Sequence, residues 1–383
     1  MPMNFRLVRC LSLPILLRAG ALCLALLCPP GMAAQPEIRV GQSIDLSGVH
    51  GDIGKDYLAG ARVYFDYVNS KGGVRGRKIV LDARDNQSSA EKSTQITRDF
   101  LGKDKADVLF GYFGEGSLET LLQDQAFARS GLALVAPLSG AVPATPGNIF
   151  FLRPSYTSEV KNVLQYFLGH GLKQFAVVYS ENRYGKSALQ AVETELRGRG
   201  LALAAQQGIR ADSDQGLDAA VKAIAARKPQ AVIVMMETIP AAQFIKAFRS
   251  LSPGVQLLGL SQINNQTLVE LAGSQAATGM VISQVVPHPA DFHVPAVREL
   301  DKLMRKYRDE APSHLTLEGF LAAKLLVDAL TQSGASQQRL THTLKAMRNV
   351  DLGGFYVDYS DGKNRASRYV DVNAISHSGR LIN

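Results

Sequence analysis

The chain has 383 residues, of which 42 are basic and 34 acidic, giving a formal charge of +8, and 46% are hydrophobic. That length and apolar content can bury a large core and suit about two domains. Basic residues are scattered apart from Arg75-Gly76-Arg77-Lys78, which reads as a solvated turn between a helix and a strand; with no Trp and no aromatic-basic interleaving, nucleic-acid binding is excluded.

At the N-terminus, Arg6 and Arg9 precede an apolar stretch over 11–28 that Pro29, Pro30 and Gly31 break, and Met32-Ala33-Ala34 follows. This order of charge, apolar segment and small-residue exit predicts a secretory signal over 1–34, cleaved after Ala34, and hence a periplasmic location. Arg18 interrupts the stretch, leaving 19–28 uncharged, too short for a membrane span of roughly 20 residues. All three cysteines, Cys10, Cys23 and Cys28, lie inside the signal, so the exported chain must rely on its core and not on disulfides. Leu22 and Leu27 stand where a lipoprotein anchor needs a small residue, which argues against lipidation. Without Arg6, Arg9 and Arg18 the balance is 39 basic to 34 acidic, a net of +5.

Apolar runs of strand length then alternate with helix-period segments. Strands are predicted over 38–44, 79–84, 107–111, 132–136, 175–179, 231–236, 255–260 and 280–283. Leu58, Ala61, Phe65 and Val68 form a helical stripe opposite Arg62, Asp66 and Asn69, and Lys71-Gly72-Gly73 stops that helix. Leu189, Val192 and Leu196 form another stripe, ending at Gly198 and Gly200. The alternation predicts an α/β protein with parallel, doubly wound sheets. It runs twice, over 38–150 and 174–285, with switches at Phe150–Pro154 and Val285–Pro289. Helices near 294–308 and 315–333 and a short β-rich tail follow.

Ligands of doubly wound sheets bind at the carboxyl ends of strands, where loops enter helices. Four loops draw attention on that ground: 45–54, 111–117, 136–141 and 180–185. The second contains Glu115, Gly116 and Ser117; its glycines allow close backbone approach, and free N–H groups there suit an anion. Ser117 is either a hydroxyl donor or a helix cap. The third contains Ser139, Gly140 and Ala141. In the fourth, Tyr184 either covers a trapped ligand or is a surface aromatic. Glu237 follows the run 231–236 and either meets a substrate ammonium or is a helix-start charge. Ser261 stands at the corresponding exit of 255–260.

Ser180–Ser187 reads S-x-x-x-x-G-K-S, a near-miss to a phosphate-cradling loop that would need glycine at Ser180. No G-x-S-x-G, H-E-x-x-H or C-x-x-C occurs, so no catalytic residue, cofactor or metal ligand is expected. His288 and His293 read as loop residues among prolines, and Asp212 and Asp214 as solvated.

The opening Ile38-Arg-Val-Gly-Gln-Ser-Ile-Asp-Leu-Ser-Gly, then Gly60-Ala61-Arg62, Asn69-x-x-Gly72-Gly73-Val74 and Gly76-Arg77-Lys78-Ile79, resembles type I periplasmic binding proteins, above all the leucine/isoleucine/valine-binding proteins of ABC importers. Asp85, Tyr184-Gly185 and Gly279-Met280 continue the likeness in order. The resemblance implies two lobes joined by a three-strand hinge, one over 35–153 and 287–364, the other over 154–286 and 365–383. It implies capture of a small polar ligand by hinge closure and delivery to a membrane ABC permease, by a monomer. A ligand sensor presenting the closed form to a receptor uses the same fold, and an exported hydrolase is the third, least supported reading. In amino-acid-binding relatives the 115–117 and 139–141 loops would hold the α-carboxylate, with the Tyr184 and Glu237 regions closing from the second lobe. This chain departs at Ser261, where relatives often place an acid near the ammonium, and at Glu115, whose charge would repel a carboxylate. Both departures weigh against a branched-chain amino acid. Glu237 or Glu115 could instead meet an ammonium, or the ligand is an amide, a polyamine-like cation or another small polar compound.

Overall fold

The structure, a computed structural model, describes Met1 and residues 37–143, 147–210, 216–308 and 311–382. The expected signal beyond Met1 and the Asp212/Asp214 pair lie outside the described residues.

The first alternation gives β1 (Ile38–Ile44), α1 (Gly51–Ser70), β2 (Ile79–Asp85), α2 (Ala90–Leu101), β3 (Val108–Phe110), α3 (Glu115–Gln123), α4 (Gln125–Ser130), β4 (Leu134–Val135) and β5 (Ile149–Phe150). The second gives α5 (Tyr156–Gly169), β6 (Phe175–Ser180), α6 (Arg183–Arg197), β7 (Ala205–Ile209), α7 (Leu217–Ala226), β8 (Ala231–Met235), α8 (Thr238–Leu251), β9 (Gln256–Gly259), α9 (Asn265–Ala272), α10 (Ser274–Ala277) and β10 (Val281–Gln284). Last come α11 (Pro295–Tyr307), α12 (His314–Gln332), α13 (Gln337–Ala346), the small pair β11 (Val350–Asp351) and β12 (Tyr356–Val357), then β13 (Asp371–Ile375) and β14 (Leu381–Ile382).

These elements form two α/β lobes. One holds a parallel sheet in the order β2-β1-β3-β4-β5, the other a sheet in the order β14-β13-β10-β9-β8-β6-β7. Buried apolar clusters cover both faces of each sheet, as double winding requires. The second sheet is mixed and not wholly parallel: the tail returns to it and adds β13 and β14 antiparallel beside β10. β13 and β14 are joined by the short connection 376–380 that an antiparallel pair allows, whereas the whole segment 285–370 separates β13 from β10.

Polar side chains start the helices that matter for the cleft. Ser155 accepts from Ser158 N at 3.2 Å, Asn182 from Gly185 N at 3.0 Å, and Ser313 opens α12 with a capping box to Thr316. Where α1 and α12 cross, there is no room for side chains. A Cβ on Gly60 would lie 1.8 Å from the Thr316 carbonyl oxygen, and one on Gly319 1.9 Å from that of Tyr57. The backbones touch, and α1 is thereby fixed to α12.

Three crossovers join the lobes, near 151–155, 285–289 and 365–370. The first and third run side by side: Phe151 N donates to Asn364 O at 2.8 Å, Ala366 N to Phe151 O at 2.9 Å and Ser367 N to Leu152 O at 3.0 Å. Arg365 lies over the Phe151 ring at 4.2 Å and donates to the carbonyls of Arg153 and Ala141, each at 2.6 Å. Beside it, fully buried Arg153 meets Glu318 of α12 in a two-pronged ion pair of 2.8 and 2.9 Å.

The basic cluster is more than a solvated turn. Arg75 Nε donates to Thr331 O at 3.1 Å and Arg77 Nη1 to Ala335 O at 2.9 Å, satisfying carbonyls at and just beyond the C-terminal end of α12. A helix C-terminus favours cations there.

Candidate functional site

Both sheets point the carboxyl ends of their parallel strands at the same cleft. After β1, buried Asp45 folds its loop by accepting from Gly48 N at 2.6 Å and His50 N at 3.1 Å, which delivers His50 to the cleft. After β3, Gly114 takes φ 108°, a conformation open to glycine, and starts α3 with Glu115, Gly116 and Ser117 facing the cleft. Ser117 lies inside the helix and is not its cap.

From the other lobe come Tyr156 at the start of α5, Asn182 and Tyr184 at the start of α6, Glu237 after β8, and Gln262 after β9. Together the two sets enclose a cavity of about 260 Å³, lined by His50, Glu115, Tyr184, Glu237 and Gln262 among others.

Glu115 accepts from Ser139 Oγ at 2.8 and 3.0 Å and, across the cleft, from Tyr156 Oη at 2.6 Å. Gln262 Nε2 donates to the same Tyr156 oxygen. Burial pushes the Glu115 carboxyl up from its ordinary 4.5, against the hydrogen bonds from Tyr156 and Ser139. Burial, reinforced by Glu115, also holds the Tyr156 phenol well above its ordinary range, so it stays a donor.

Glu237 stands at the N-cap of α8 but makes no capping bond. Its carboxylate accepts from Ser180 Oγ and Asn182 Nδ2, each at 2.7 Å, and His50 Nε2 of the first lobe lies 3.7 Å away. Asn182 thus caps α6 with one end of its amide and steadies Glu237 with the other. Tyr184 is buried, its ring edge against Tyr156 at 5.1 Å between centroids. Its hydroxyl and His50 Nδ1 are buried polar atoms without a hydrogen-bond partner among the described residues.

The nine residues singled out in the sequence divide accordingly. Glu115, Gly116, Ser117, Tyr184 and Glu237 line the cavity; Ser139, Gly140, Ala141 and Ser261 do not. The Ser139 hydroxyl is engaged by Glu115 and by Ala141 N at 3.0 Å. Gly140 makes room for Tyr156, whose ring would lie 2.5 Å from a Cβ there. The Ala141 carbonyl accepts from Arg365 at 2.6 Å. Ser261 is turned inward: its N–H donates to Glu159 at 3.1 Å and its carbonyl accepts from His314 Nε2 at 3.1 Å. Burial drives the His314 imidazole down to about 4, so near neutral pH it is uncharged and its Nε2–H is the donor. The neighbouring Gln262 takes the cavity position instead. His50, Asn182 and Gln262 escaped the sequence reading as site residues, although the first two lie in loops it had selected.

The chain matches the family model "Periplasmic binding protein" over residues 37–379. A substrate-binding periplasmic protein from Ralstonia solanacearum superposes with a TM-score of 0.84 at 32% identity, covering 90% of this chain and 99% of that one. Leu/Ile/Val-binding protein homolog 7 of Brucella melitensis is 22% identical over 380 residues, 91% of this chain and 92% of the relative. An amino acid binding protein of Pseudomonas aeruginosa is 23% identical over 200 residues, about half of each chain at 51% and 53%. With its two α/β lobes and the cavity between them, the chain belongs to the periplasmic binding proteins, and is a solute-binding protein, not an enzyme.

Proposed function

We propose that the protein is the extracytoplasmic substrate-binding component of an ABC importer, closing its two lobes on a small polar molecule and presenting it to a membrane permease. The observation that carries this reading is the composition of the cavity wall: Glu115 of one lobe is held by Tyr156 of the other, and Glu237 faces His50 across the same space. A wall assembled from both lobes exists only when they meet, which is what hinge closure on a ligand requires. The lobes divide as 35–153 with 287–364 and 154–286 with 365–383, and export follows cleavage of residues 1–34. Glu115, Gly116, Ser117, Tyr184 and Glu237 contact the ligand, joined by His50 and Gln262, while Ser139, Gly140, Ala141 and Ser261 act from behind them. The protein works as a monomer.

Solution X-ray scattering checks the closure. A tightly bound compound should lower the radius of gyration, and an unchanged profile with every tight binder would sink the hinge reading. Cells lacking the protein should lose high-affinity uptake of that compound. Unaltered uptake with a lost response to the compound would move the protein to the sensor role.

A further inference from the structure

The charge of the cavity points to a class of ligand, an inference that rests on the binding role just proposed. Two carboxylates, Glu115 and Glu237, reach the cavity from opposite lobes. Arg183 also lines it, but its guanidinium is drawn to Glu119 in a cross-lobe ion pair at the rim. A carboxylate has about four lone-pair sites. Neutral donors make three contacts at Glu115, from Ser139 and Tyr156, and two at Glu237, from Ser180 and Asn182. Hydrogen bonds from neutral groups orient these carboxylates; the two guanidiniums behind Glu115 make their own hydrogen bonds elsewhere, Arg153 to Glu318 and Arg365 to backbone carbonyls, and acceptor sites are left over on both carboxylates.

Aromatic rings complete the wall. Phe113 lines the cavity with His50 edge-on to it at 5.9 Å, and Tyr184 lines the opposite lobe with its buried hydroxyl lacking a hydrogen-bond partner among the described residues. Ring faces attract cations through their quadrupole. The N-terminus of α3 would by itself favour an anion, but its first residue is Glu115, which sets a carboxylate at that spot. The volume of about 260 Å³ lies under the roughly 300–1,000 Å³ of drug-sized pockets, so the occupant is small.

We infer that the cavity takes a compact organic cation without a carboxylate of its own, an ammonium, amidinium or guanidinium seated between Glu115 and Glu237 against the Phe113 and Tyr184 rings, with a polar group meeting the Tyr184 hydroxyl.

Matched pairs that differ only in the α-carboxylate test this. The protein, expressed from its full chain, recovered from the periplasm and refolded to strip any retained compound, is titrated calorimetrically with agmatine and arginine, putrescine and ornithine, and with leucine and butyramide. The decarboxylated amine should bind at least tenfold more tightly than its amino acid in one or both pairs, and butyramide and leucine more weakly still. Glu237→Gln should weaken the tighter amine by more than tenfold, and Glu115→Gln, assayed in parallel, gives the same readout if the first variant melts early. Equal or tighter binding of the amino acids, or of butyramide, overturns the cation and leaves the binding role standing. No heat from any of the six, with no compaction by scattering, overturns both.

Discussion

Buried carboxylates are treated in opposite ways at the hinge and in the cleft. At the hinge, Glu318 receives the Arg153 guanidinium along both prongs, at 2.8 and 2.9 Å. In the cleft, Glu115 and Glu237 receive serine, tyrosine and asparagine donors, with the His50 imidazole standing off Glu237 at 3.7 Å and Arg153 and Arg365 behind Glu115 without a hydrogen bond to it. An Arg–carboxylate pair closes its charge locally and belongs to the architecture. Glu159, fully buried away from the cavity, is also held by neutral donors, Ser261 N and Ser283 Oγ, so it is the cavity position together with the neutral donors that sets Glu115 and Glu237 apart from Glu318.

The largest effect should come from breaking the hinge pair. Arg153→Met leaves Glu318 buried without its cation, a change that costs about 3–5 kcal/mol. At roughly 2–4 °C per kcal/mol for a large domain, calorimetry should show Tm falling by about 6–20 °C. Adding Glu318→Leu should restore most of that loss, because the uncompensated charge goes with it. A shift within a degree or two would erase the contrast with the cleft.

Next comes Gly140→Ala. Its Cβ would meet the Tyr156 ring at 2.5 Å and push the phenol off Glu115. Overpacking of this kind costs about 1–3 kcal/mol, and here the affinity for whichever amine binds should fall by about tenfold or more. Lost stability with unchanged affinity would remove Tyr156 from the binding machinery.

A smaller effect is the pH dependence of the ligand-free protein. Glu115 has its carboxyl raised above the ordinary 4.5 by burial, so the folded state holds that proton more tightly than the unfolded chain does. Its contribution is present in full below the ordinary value and is lost as pH rises through the raised one. The groups that set it are Tyr156 and Ser139 in contact, with Arg153 and Arg365 behind. Denaturant melts should show stability declining over that window, and Glu115→Gln should flatten the decline. A profile identical in wild type and variant would show that Glu115 titrates as an ordinary exposed acid.

The smallest effect is that of Tyr184→Phe. Removing a buried hydroxyl that lacks a partner among the described residues should leave the ligand-free Tm unchanged or slightly raised, while affinity for the amine falls several-fold, about 1 kcal/mol for one hydrogen bond. Unchanged affinity would mean that the hydroxyl does not meet the ligand.

Much of the fold was legible because apolar runs of strand length alternate with helix-period stripes along the chain. β1 matches its expected bounds, and α11 and α12 lie within a residue of theirs. What escaped has a physical reason. β7 reads Ala-Gln-Gln-Gly-Ile, too polar for a strand by pattern, and β5 is two residues long. The antiparallel return of β13 depends on where the third crossover places the tail, which periodicity does not encode. At the site, strand exits pointed to the right loops, but not to the residues that face inward. Ser139 spends its hydroxyl on Glu115, and the backbone N–H of Ser261 is bound to Glu159, through contacts between segments far apart in sequence. His50 could have been found from Asp45 and Gly48, since an aspartate bonding backbone N–H groups ahead of it is a local turn signal.

The most direct measurement is a crystal structure of the protein with the matched amine that binds more tightly, agmatine or putrescine. The amine should lie inside the cleft, one of its cationic nitrogens within about 3.2 Å of a Glu237 oxygen and another group facing Glu115. A cavity occupied by the paired amino acid in preference, with its carboxylate on the N-terminus of α3, or an amine bound only outside the cleft, would contradict it.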